Sequence, residues 1–287
     1  MGSVRRVAVG LLIAALAGAL ILVALVAAYT FTKTPLPAAD QCVARVQQAS
    51  VPLDVEQSRN ASIIAGVATQ RGLVPRATTI ALATAYQESG LRNLDYGDRD
   101  SLGLFQQRPS QGWGTVEQVQ DPWYASNRFY EELVKVENWR TGNVNDVAQA
   151  VQRSGHPNGY ARHVENARRL ASALSGETPA SFTCVVKGSP LADPAGMEAF
   201  LKATLPADSQ VTLSPGRVTV RARTNQLAWS AAHIALANTA AYGVARVEVG
   251  GQHWTASRTS LAPWLGEKTN ATTAIIIFEL PSPTPTR

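Results

Sequence analysis

The residues able to do chemistry gather between Ala83 and Arg108, in ATAYQESGLRNLDYGDRDSLGLFQQR. One acid, Glu88, closes an apolar stretch in which Ile80, Ala83, Thr84 and Gln87 recur at helical spacing. Pro75 suits the first turn of that helix and Gly90 its stop, so Glu88 is expected in the last turn. There the helix macrodipole presents partial negative charge, which disfavours a carboxylate. Tyr86, Leu91, Leu104 and Phe105 supply apolar walls that disfavour it further, and both effects raise the pKa. A carboxyl that keeps its proton near neutral pH can give it to the departing oxygen of a glycosidic bond. A Glu-Ser pair at a helix end is common, and taken alone it is more often a solvated terminus than an acid catalyst.

The loop Asn93 to Ser101 carries Asp95, Asp98 and Asp100 and too few apolar residues for a core element. It allows three readings. Asp98 or Asp100 supplies a second carboxylate facing Glu88; the loop holds a cation, although it lacks the spacing and final Glu of an EF-hand; or it is a solvated turn paired with Arg92 and Arg99. Trp113, in the turn-rich run Pro109 to Gly114, is either a stacking platform for a sugar ring or a plug over the core.

Glu88-Ser89 followed by Asn93, and then Gly103-Leu104-Phe105-Gln106, resemble the Glu-Ser and Gly-Leu-Met-Gln motifs of lysozyme-like lytic transglycosylases and goose-type lysozymes. The resemblance spans roughly Cys42 to Cys184. It implies a lysozyme-like fold, the glycan strands of peptidoglycan as substrate, Glu88 as general acid and base, and Ser89 and Gln106 shaping the sugar cleft. Gln107 and Trp113 are further substrate-binding candidates. In lysozyme-like proteins a turn such as Gly155 to Tyr160 lies opposite the acid, which adds Ser154, His156 and Tyr160; the plainer reading makes His156 a surface residue and Tyr160 a core anchor. The family's third motif, Ala-Tyr-Asn, is not present, and its counterpart reads Ala150-Val151-Gln152-Arg153-Ser154-Gly155-His156. Family members work with a single Glu, so no second acid is required. The expected activity is peptidoglycan strand cleavage, as a lytic transglycosylase or a muramidase. The alternative is a non-catalytic peptidoglycan-binding or envelope-assembly component that keeps the cleft.

The rest of the chain positions this stretch. At 287 residues and 45% hydrophobic, it can bury one or two ordinary cores. A net charge of +5 favours anionic partners, but the basic residues are scattered and form no nucleic-acid arm. His163, His233 and His253 lie apart, with no HExxH and no His/Cys cluster, so neither a metal nor a cofactor is expected. Met1 to Arg6 is short and basic, and Val7 to Ala28 is an uninterrupted apolar run, near the ~20 residues that cross a bilayer. Arg5 and Arg6 then leave the amino terminus cytoplasmic and the remainder outside, with a cleaved signal as the alternative. Export favours a bridge between Cys42 and Cys184 over two buried thiols.

The expected organisation is a stub (1–6), a transmembrane anchor (7–28), a linker (29–41), a lysozyme-like domain (42–185), a small accessory domain (190–280) and a disordered tail (281–287). The fold class is accordingly α+β: a mainly α-helical lysozyme-like domain after an amino-terminal transmembrane helix, followed by a small α+β domain. Helices are expected over Ser58 to Gly72, from Pro75 to Gly90, from Asn145 to Ser154 and from Ala161 to Leu174. Beyond Cys184 the pattern gives helices at Pro194 to Ala203 and Gln226 to Tyr242, with strands at Val218 to Ala222, Val244 to Val249, His253-Trp254 and Thr272 to Leu280. The accessory domain would meet a partner of the cell envelope.

Overall fold

The computed structural model describes residues 16–23 and 40–280. Residues 16–23 are helical and exposed. Among the described residues no helix is long and apolar enough to cross a membrane, which corrects the expectation of a transmembrane helix over 7–28. The remainder of that run lies outside the described residues, as do the stub 1–6, nearly all of the linker and the tail 281–287. The fold is α+β, with two antiparallel sheets, and the described residues 40–280 form one compact unit.

The first half is less purely helical than its sequence suggests. Strand β1 (Gln41–Val46) lies at the centre of a three-stranded sheet, flanked by β2 (Ala49–Leu53) and by β3 (Phe182–Val185), which returns from the far end of the region. β1 and β2 join through Gln47 and Gln48, both in the left-handed region at φ 51° and 63°. That conformation usually calls for Gly or Asn, so Gln-Gln gives no hairpin signal. Cys42 and Cys184 face each other in the β1–β3 register and form the expected disulfide.

Six helices surround this region. Helix α1 (Val55–Gln70) starts three residues earlier than expected, because Asp54 and Gln57 make a capping box; Ser58 lies inside it. α2 (Pro75–Ser89) follows, then the short α3 (Val116–Gln120) with the Thr115–Gln118 capping box, and α4 (Pro122–Leu133) capped by Asp121. α5 (Val144–Gln152) and α6 (Val164–Leu174) complete the set, the latter preceded by a single 3₁₀ turn at Ala161–His163.

In the second half, α7 (Pro194–Thr204) and α8 (Asn225–Ala237) cover a five-stranded sheet. Its strands are β4 (Gln210–Ser214), β5 (Arg217–Arg221), β6 (Val244–Val249), β7 (Gln252–Thr255) and β8 (Thr273–Phe278), in the order β4-β5-β8-β6-β7. The helix expected to run to Tyr242 breaks at Asn238, and Thr239–Tyr242 forms a separate turn, α9. Gly250 and Gly251, both at positive φ, make the β6–β7 hairpin turn. The expected regions 42–185 and 190–280 share a hydrophobic core. Ser58 donates to the Ala237 carbonyl at 3.1 Å and Asn238 to Ser62 at 2.9 Å. A Cβ on Gly66 would lie 2.3 Å from Thr204 Cγ2, so α1 and α7 approach closely at that glycine.

Candidate active site

α2 is buried along nearly its whole length, from Ala77 to Ala85, and so serves as a fixed rod through the core. It ends at Gly90, whose φ of 64° lets its N–H and that of Leu91 turn back onto the Tyr86 and Ala85 carbonyls. Two side chains from α1 hold this end in place: Gln57 donates to the Gly90 carbonyl and Asn60 to the Leu91 carbonyl, each at 2.9 Å. Glu88 therefore projects from a braced terminus.

The segment Gly103 to Gln106 packs against that terminus. Ser89 Oγ donates to the Leu104 carbonyl at 2.7 Å and approaches the Ala85 carbonyl at 3.0 Å. Gly103 sits at φ 74°, and a Cβ there would lie 2.1 Å from the Val119 carbonyl oxygen. Phe105 is fully buried and stacks on Phe129 with ring centres 4.7 Å apart. Gln106, at φ 48°, turns its amide to the Tyr96 and Gly103 carbonyls.

Glu88 is half-buried, and its carboxyl receives a hydrogen bond from Tyr160 Oη at 2.6 Å. Burial raises its pKa above the ordinary carboxylate value; hydrogen bonds from Tyr160 and Gln152 and the proximity of His156 oppose that rise without cancelling it. Tyr160 is fully buried behind the acid, while Ser154 donates to the Gln149 amide oxygen at 3.1 Å. Gln152 donates to the Phe105 carbonyl at 2.8 Å, while its own Oε1 is buried without a partner. The protonated carboxyl of Glu88 would offer a donor beside that amide, which the ionised form lacks.

Glu88 lines a cleft of about 770 Å³. Gln106, Gln107, Trp113, Ser154 and His156 share that lining, and so does Asp98 on the loop. Trp113 is half-buried against the core, with the Arg128 guanidinium 5.8 Å from its ring centre. Gln107 is 2% exposed and donates to the Ala125 carbonyl, so it supports the wall more than it reaches outward. Two of the expected substrate contacts sit behind the surface: Ser89 ties helix to loop, and Tyr160 backs the acid.

The two candidate second carboxylates part company. Asp100 accepts from the Ser110 N–H at 2.8 Å and from Arg108 Nε at 2.7 Å; Ser110 first, and Arg108 after it, hold its pKa well below the usual carboxylate range, and Asp100 lies outside the cleft lining. Asp98 is exposed at the cleft, 3.9 Å from Arg99. Among the described residues, no group of three or more His, Cys, Asp or Glu side chains is placed to hold a metal ion.

Sequence reading did not single out Gln152 as a partner of Glu88, although it lies in the segment Ala150 to His156. Nor did it place Arg128, Glu132, Lys135 and Arg153 at the cleft. Arg128, Glu132 and Lys135 come from α4 and the turn after it, some forty residues beyond the acid, and only packing brings them there. No protein-family model matches the chain, and no curated protein matches its sequence.

Proposed function

We propose that the chain cleaves the glycan strands of peptidoglycan, with Glu88 as its single general acid and base. The observation that carries this reading is the half-buried Glu88, its pKa raised by burial, on the wall of a cleft of about 770 Å³. Glu88 protonates the bridging oxygen as the bond to the sugar C1 breaks and an oxocarbenium-like centre develops. Tyr160, bonded to Oε1, fixes the carboxyl's orientation for that transfer. The resulting carboxylate then removes the proton of the attacking hydroxyl. Trp113 offers an apolar face to a sugar ring.

The attacking group in this reading is the C6 hydroxyl of the same sugar, which closes an anhydro ring and makes the reaction a lytic transglycosylation. Capture of Asp100 by Arg108 and Ser110 supports this over hydrolysis, because it removes one of the two candidates for a second carboxylate. The Cys42–Cys184 bridge suits an oxidising, extracytoplasmic compartment. Digestion of purified peptidoglycan followed by product mass tests the proposal. An anhydro product is lighter by one water than its hydrolytic counterpart. Retention of strands without released fragments would instead identify a glycan-binding component. Release of fragments by Glu88→Gln at the wild-type rate would remove Glu88 from the chemistry.

A further inference from the structure

A neutral sugar strand gives a cleft no reason to carry uncompensated positive charge, yet five cations line this one: Arg99, Arg108, Arg128, Lys135 and Arg153. They face three acids, Glu88, Asp98 and Glu132, of which Glu88 tends toward its neutral form. Three of the cations are already engaged at close range. Arg108 is paired with Asp100 at 2.7 Å, Arg128 with Glu132 at 2.6 Å and Lys135 with Glu132 at 2.8 Å. Arg99 and Asp98 are 3.9 Å apart and both mostly exposed, so water screens that pair. Arg153 forms no ion pair among the described residues.

The backbone at these two arginines points the same way. Arg99 and Arg153 hold φ of 58° and 52°, the left-handed region in which a side chain costs ~1 kcal/mol and Gly or Asn is the cheaper choice. Arg153 caps α5 there, its N–H on the Gln149 carbonyl at 2.8 Å, directly after Gln152. It lines the same cleft as Glu88. A planar guanidinium with free donors matches a carboxylate in a paired, two-point hydrogen bond.

We infer that the cleft selects glycan strands whose sugars carry peptides with free carboxylates, and that Arg153, assisted by Arg99, seats one of those carboxylates. The inference rests on the proposed strand-cleaving activity and names its substrate more narrowly. In peptidoglycan the peptide hangs from every second sugar, so its carboxylates are the anions nearest any cleaved bond.

The test uses the full chain and four strand preparations: peptide-bearing, peptide-bearing with the carboxylates amidated, stripped of peptide, and amidated strands carrying a phosphate polymer. Wild-type protein is expected to show kcat/KM about tenfold or more higher on the peptide-bearing strands than on the amidated or stripped ones, a preference that shrinks with added salt. Arg153→Gln is expected to remove most of that preference, and Arg153→Lys to restore part of it. Both side chains are exposed, and unchanged thermal midpoints would exclude misfolding. Equal rates on the first three preparations, or a preference intact in Arg153→Gln, would overturn the inference and leave the cleavage activity standing. Preference for the phosphate-bearing strands would overturn the assignment to carboxylate. If wild type cleaves nothing, binding of the four preparations by Glu88→Gln decides separately: selective retention of peptide-bearing strands keeps the inference without the enzyme, and indifferent retention ends both.

Discussion

At the scale of single residues, the site depends on an acid held between two opposing influences. Burial favours the neutral form of Glu88, and the Tyr160 hydroxyl, donating at 2.6 Å, favours the ionised one. Because Tyr160 stabilises the charged form, Tyr160→Phe should move the alkaline limb of the pH–rate profile upward, while loosening of the carboxyl lowers the maximal rate about tenfold or more. A limb that stays in place or moves toward acid would contradict this assignment. Glu88→Gln carries a different sign in stability. An acid whose folded pKa is raised loses stability as pH climbs from its unfolded value through its folded one, so its ionised form is a cost near neutral pH. The variant should therefore lose turnover by about a thousandfold and keep or raise its thermal midpoint at pH 7, as calorimetry would show.

At the scale of elements, the cleft is a product of how one helix end meets one loop. Gly90 stops α2, Ser89 Oγ reaches the Leu104 carbonyl, and Gly103 lets the loop pass the Val119 carbonyl, where a Cβ would lie 2.1 Å from its oxygen. At φ 74° that position is also strained for any side chain. Gly103→Ala should cost about 2 kcal/mol or more and displace Gln106, so denaturant melts and strand cleavage are expected to fall together. Gly112→Ala is the useful control, because its Cβ would meet nothing within 4 Å although its φ is 79°. It should cost about 1 kcal/mol, from backbone strain alone.

For the whole molecule, the second half is bound into the first. His233 of α8 is fully buried among Trp229, Trp264 and Phe182, with Nδ1 2.7 Å from the Ala173 carbonyl of α6. Burial lowers its pKa to about 4. The unfolded chain takes up that proton first, near pH 6.5, so the stabilising effect is complete above that pH and declines as the solution is acidified toward pH 4. The loss approaches about 3 kcal/mol over that window. Thermal midpoints measured from pH 7 to pH 4 should fall steeply in the wild type and less steeply in His233→Gln; parallel curves would assign the acid sensitivity elsewhere.

Local physics was readable wherever one residue type decides one conformation. Pro75 and Gly90 bounded α2 and set Glu88 in its last turn, and two cysteines at the edges of one region paired. The three-stranded sheet was not readable, because Gln47 and Gln48 make its turn without a turn former and β3 arrives from more than a hundred residues away. The surroundings of Glu88 were only half legible. Its apolar walls are neighbours in sequence, but Tyr160, Gln152 and the cations of the cleft reach it from helices and turns far along the chain, and only the packing of α4, α5 and the turn before α6 puts them there. Desolvation and hydrogen bonding act over a few ångströms of space regardless of chain separation, so sequence could nominate the acid, and the tertiary structure alone determined what surrounds its proton.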